Sequence, residues 1–155
     1  MKPEIAKQLQ DISDSREQQK QAAITQASEQ QKAQANNLAD FAAKKEEVIK
    51  PAFQEIVDLY KARGVAIRTV EEDERPNDKG GTQSPNIRLD MAGAYSSRSD
   101  MKPEFRLTLD KRNRTLSLYT ATQSRSGPDG NVSLDAITAE WIQSAFLKYA
   151  SGSFR

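Results

Sequence analysis

The sequence predicts an α+β fold: a long N-terminal helix, kinked or broken near Pro51, then a four- to five-stranded antiparallel meander, then a C-terminal helix packed on one sheet face. Two observations carry this. All seven glycines lie after residue 63, whereas nine of the 13 glutamines lie before residue 35. The apolar residues also change period near Gly64, from spacings of three and four to strict alternation. The first pattern is that of a helix face and the second that of strands with one buried side.

The chain divides accordingly into an extended helical or partly disordered arm, 1–37, and an α+β domain, 38–155. In the domain's helix, 38–63, the residues Leu38, Phe41, Val48, Ile49, Phe53, Ile56, Val57 and Tyr60 form one apolar stripe. Asp40 with Lys44 and Glu46 with Lys50 are acid-before-base pairs one turn apart, which suit the solvated face. Pro51 either kinks this helix or sits in the first turn of a second one. Gly64 marks its end.

The arm is poorer in apolar side chains. Ile5, Leu9 and Ile12 make a short stripe, and Ile24 is the next large apolar residue before Leu38. A helix so polar is not stable alone in water, so it either packs along a partner or frays. One helix over 4–62 would span roughly 90 Å at ~1.5 Å per residue. A domain of the remaining size has a radius of gyration of roughly 12–13 Å. A second copy of the chain is the simplest cover for such an arm, which makes Ile5, Leu9, Ile12, Ile24, Leu38 and Phe41 the candidate oligomerisation residues of a coiled-coil homodimer.

Strands follow at about 65–70, 86–92, 104–110 and 115–121. Residues 71–84 are polar, with one proline and two adjacent glycines, and predict a mobile loop; 94–103 predict another. The connection of Lys111, Arg112, Asn113 and Arg114 suits a hairpin in which Asn113 takes a positive φ. Residues 126–130 form a turn cluster, and Val132 and Leu134 either add a short fifth strand or lead into the last helix. That helix, about 135–150, carries Trp141, Ile142, Ala145, Phe146 and Tyr149 on one face, with Asp135 or Thr138 available as a cap.

Composition removes much chemistry. The chain has no cysteine and no histidine. Disulfides, the familiar zinc sites and the Ser-His-Asp and Cys-His nucleophiles are therefore excluded. An enzyme would have to work with Asp, Glu, Lys or Tyr alone, and no phosphate-binding glycine loop, nucleophile elbow or calcium-loop signature occurs. No catalytic residue, metal ligand or cofactor is expected. With 23 basic and 22 acidic residues the net charge is +1, so the chain is not globally a polyanion binder. The first 20 residues hold no apolar leader and no stretch is long enough to span a membrane, which leads us to expect a cytoplasmic protein without membrane contact.

Two functional expectations follow. The leading one is a non-enzymatic protein-interaction module, of adaptor, scaffold or chaperone-like kind, that self-associates through its arm and serves a protein partner whose identity is unknown. The alternative is a nucleic-acid-binding protein. With Ile67, Leu89, Leu107 and Leu118 inward, Arg68, Arg88, Arg106 and Tyr119 face outward, and Arg112 and Arg114 add charge at the sheet edge; arginines with an exposed aromatic can hold phosphates and stack bases. The same arginines could instead pair with acids such as Asp90, Glu104 and Asp110 across strands. The acidic run of Glu71, Glu72, Asp73 and Glu74 predicts a solvated loop more readily than a cation site.

Overall fold

The computed structural model describes residues 1–94 and 102–153. Helix α1 runs Pro3–Lys44, one π-helical turn covers Lys45–Ile49, and α2 follows over Lys50–Ala62. The chain forms two compact units, Met1–Asn36 and Asn37–Arg155. In the first unit the chain is helical from Pro3 onward, and every residue is exposed except half-buried Gln34. Its abundance of Ala, Gln, Glu and Lys, with no glycine, gives the backbone every local reason to stay helical.

Pro51 accounts for the π turn. It has no N–H, and its ring clashes with the carbonyl four residues back, at Glu47. One widened turn, in which the Lys50 N–H donates to the Lys45 carbonyl, carries the helix past that clash. Pro51 then sits in the first turn of α2. The helix closes as a Schellman motif: Val65 N–H donates to the Tyr60 carbonyl at 2.9 Å and Gly64 N–H to Lys61 at 3.0 Å, with Gly64 at φ +80°.

The strands are β1 (Arg68–Glu72), β2 (Arg75–Pro76), β3 (Thr82–Gln83), β4 (Asn86–Asp90), β5 (Glu104–Asp110), β6 (Thr115–Ala121) and β7 (Ser126–Ser133). Five of them form one antiparallel sheet in the order β1-β4-β5-β6-β7, and β2 pairs with β3 in a separate small hairpin. The first strand starts at Arg68 rather than 65, because Val65 is still tied to the end of α2. The 71–84 segment is only partly loop: Glu71 and Glu72 pair with Ile87 and Asn86, and the β2–β3 hairpin follows. Most of the expected 94–103 loop lies outside the described residues.

Residues 126–130 are strand rather than turn. β7 pairs along β6 with a bulge, where Leu118 faces Gly130, Tyr119 faces Pro128, and Asp129 is left over. The bulge absorbs the extra residue, and the edge position tolerates Pro128, which has no N–H to give. In the β5–β6 hairpin the positive φ falls on Arg114, at 56°, not on Asn113. The Asp110 carboxylate accepts from the Arg112 and Asn113 N–H groups and from Asn113 Nδ2, which holds Asn113 in the turn and passes the left-handed residue to the next position.

Alternation along the strands puts Ile87, Leu89, Phe105, Leu107, Leu109, Leu116 and Leu118 on one buried face. α2 and the C-terminal helix α3 (Ala139–Ser153) cover it. Phe105 is where they meet: its ring centroid lies 6.1 Å from Phe53 of α2, 5.4 Å from Phe146 and 5.9 Å from Tyr149 of α3. A 3-10 turn, Leu134–Ala136, precedes α3, whose start is capped by Thr138 Oγ1 accepting from the Trp141 N–H at 3.1 Å. The helix therefore begins later than its apolar pattern suggests, because Leu134 and Ile137 reach the core from the preceding turn.

Candidate interaction surfaces

The arm residues separate into two groups. Ile5, Leu9, Ile12 and Ile24 are 47%, 52%, 53% and 54% exposed. At 100° per residue the first three lie within an arc of about 60°, and Ile24 stands about 100° from Ile5. Leu38 and Phe41 belong elsewhere: Phe41 is buried in the core of the second unit and Leu38 packs against that core. Leu38 and Phe41 follow a polar stretch broken only by Ile24 and head the apolar stripe of 38–63, which was the available signal that they serve the domain core. These two residues are therefore removed from the oligomerisation set.

The polar sheet face is built as the alternation requires. Arg88, Arg106 and Tyr119 stand side by side across β4, β5 and β6, and Arg68 stands opposite Asp90 in the next row. Each arginine is engaged. Arg68 reaches Asp90 at 2.9 Å, Arg88 reaches Glu72 at 3.0 Å and Glu104 at 3.7 Å, and Arg106 reaches Glu104 at 2.6 Å. The Arg106 guanidinium also lies 5.5 Å from the centre of the Tyr119 ring. A cleft of about 360 Å³ on this face is lined by Arg68, Arg75, Arg88, Arg106 and Lys102 against Glu72, Asp90 and Glu104. Cations outnumber carboxylates there by two. Arg114 is turned away from any such role: it joins Asp135 at 2.7 Å, Asp40 at 2.5 Å and Asn37 at 2.8 Å, tying the hairpin to α1 and to the 3-10 turn that precedes α3. Arg112 is exposed at the hairpin tip.

Three acids of the run pair closely with cations, and Asp73 stands solvated, its side chain 95% exposed. Glu71 meets Lys50 at 2.9 Å, Glu72 meets Arg88, Asp73 meets Lys45 at 3.9 Å, and Glu74 meets Lys111 at 2.9 Å. Lys45 is buried in the π turn, with its ammonium 5.4 Å from the centre of the Phe41 ring and 3.9 Å from Glu71. Alternation explains the division of labour: Glu71 points to the helix side of β1 and Glu72 to the polar side.

These pairings set a pH dependence. The Lys50 hydrogen bond holds the Glu71 carboxyl below its ordinary 4.5, and the Arg88 hydrogen bond does the same for Glu72. The Asn113 hydrogen bond lowers Asp110 and the Arg114 hydrogen bond lowers Asp135, both from 3.8. At Asp90 burial pushes upward, but the Arg68 hydrogen bond and the Ala92 N–H outweigh it. A carboxyl lowered on folding contributes stability that is complete above its unfolded value and is lost as pH falls through its folded value. The melting temperature is therefore expected to hold above about pH 5 and to fall progressively below it. Glu72→Gln should flatten that decline. Thermal melts by circular dichroism between pH 7 and 2.5 check this, and a profile flat to pH 3 contradicts it.

A surface that the periodicity did not single out lies between α2 and α3. It is an apolar groove of about 590 Å³ lined by Ile56, Leu59, Tyr60, Phe146, Leu147 and Ala150. Leu59 is 57% and Leu147 67% exposed. The available signal was a leucine standing beside the apolar stripe on each helix, widening it past what one sheet face can cover. Among the described residues no group of three or more Asp and Glu is placed to hold a metal ion, and no helix is long and apolar enough to cross a membrane. Compared with protein-family models, with curated proteins and with solved structures, the chain matches none.

Proposed function

We propose that this chain is a non-enzymatic protein-interaction module, of adaptor, scaffold or chaperone-like kind, that self-associates as a homodimer through its N-terminal helix. The observation that supports it is the half-exposed stripe of Ile5, Leu9 and Ile12 on a helical unit that buries no residue of its own. Covering a half-exposed Ile or Leu contributes about 1–1.5 kcal/mol. Three such residues on each of two copies contribute roughly 6–9 kcal/mol, against about 4–15 kcal/mol for lost freedom on association. The stripe therefore supports a weak, exchanging dimer, as suits a module that assembles and releases. Nucleic-acid binding is the weaker reading, because Arg68, Arg88, Arg106 and Arg114 already hold carboxylates.

Deleting residues 1–36 is expected to lower the mass measured by light scattering to that of one chain. The second unit should stay folded, because its buried core lies wholly between Phe41 and Tyr149. A truncated protein that keeps the full chain's association state overturns the proposal.

A further inference from the structure

Two apolar surfaces of this chain stay open, and they match. Among the described residues the exposed large hydrophobics are Met1, Ile5, Leu9, Ile12, Ile24, Leu59 and Leu147. Apart from Met1 and Ile24, all of them lie either on the N-terminal stripe or in the α2–α3 groove. The stripe spans two helical turns, roughly 10 Å from Ile5 to Ile12. The groove walls, 56–63 on α2 and 143–150 on α3, span two turns each.

We propose that the α2–α3 groove of one copy receives the Ile5, Leu9 and Ile12 stripe of a second copy, each copy giving a stripe and receiving one. This rests on the self-association reading above and names the surface that the arm meets. A helix laid into a groove between two others is a common recognition mode, read as anchors spaced by three and four residues. It covers five large exposed side chains per contact, the three of the stripe together with Leu59 and Leu147. A seam between two arms covers only their stripes and then runs into Arg16 and Gln19 at the next seam positions. A reciprocal exchange is two-fold symmetric and closes at two copies.

The absence of cysteine makes the test clean. Full-length Leu9→Cys and Leu147→Cys chains, one with a tag to separate the masses, are mixed, equilibrated and mildly oxidised. The expected product is a disulfide between the two different chains, at least tenfold above what either variant gives alone. In parallel, the Leu59→Lys, Leu147→Lys double variant should associate at least tenfold more weakly than the native chain by light scattering. Both leucines are exposed, so an unchanged far-ultraviolet spectrum is expected and confirms that the fold is kept. Crosslinking confined to Leu9→Cys with itself, with the double variant associating normally, overturns groove docking and leaves arm-mediated pairing standing. A native full chain that has the mass of one copy at every concentration overturns both.

Discussion

Replacing Phe105 with alanine is expected to cost about 3–5 kcal/mol, the usual range for emptying a buried aromatic site. Phe105 is fully buried, and rings from both α2 and α3 meet it edge-on or tilted within 6.1 Å. The cavity cannot close by the movement of one neighbour, because Phe53, Phe146 and Tyr149 are held by two different helices. Domains of this size are stable by only about 5–15 kcal/mol, so the variant should lose a large share of its margin. Its melting temperature should fall by roughly 10–15 °C. Leu59→Ala is the control, since an exposed leucine should change stability by no more than about 0.5 kcal/mol. Equal denaturation midpoints for the two variants contradict the packing described for the sheet and its helices.

Arg88→Met is expected to cost about 2 kcal/mol, or roughly 6 °C in melting temperature. The Arg88 side chain is 23% exposed and lies between Glu72 and Glu104. Removing it leaves two partly buried carboxylates short of a cation. The loss stays below the 3–5 kcal/mol typical of breaking a fully buried pair, because Arg75 remains near Glu72 at 3.8 Å and Arg106 near Glu104 at 2.6 Å. The result bears on function. An arginine kept for an outside anion should leave stability unchanged or raised when it is replaced. One that neutralises its own sheet should lower it. A double-mutant cycle with Glu72→Gln isolates the pair, and a coupling energy near zero, with stability unchanged, would return the polar face to the nucleic-acid alternative.

The element types were legible in the chain because their causes are local. Helix-forming composition holds from Pro3 to the end of α2, with three-and-four spacing at Ile5–Ile12 and again from Leu38, and alternation marks β5 and β6 to the residue, while β4 ends at Asp90, two residues before its expected end. The π turn at Lys45–Ile49 was foreshadowed by Pro51 but not readable from it, since a proline can be met by a kink, a break or a widened turn. β7 was missed because Gly127, Pro128 and Gly130 carry turn signals that an edge strand with a bulge accommodates. The polar face was placed correctly, and the pairing of its arginines with Asp90 and Glu104 was legible as well; the Arg88–Glu72 pair was not, because it depends on the register of β4 against β1.

Composition settled which chemistries this chain lacks, and periodicity settled its fold class and the two faces of its sheet. Both follow from short-range sterics and from the burial of apolar side chains, which act within a few residues of chain. Long-range packing settled the rest. It took Phe41 into the core and Leu38 against it while Ile5, Leu9 and Ile12 stayed exposed, and it matched three acids of the acidic run to separate cations. It also opened a groove beside Leu59 and Leu147. Exposure and charge pairing depend on which distant segments meet, and that is a property of the folded register, not of any window of sequence.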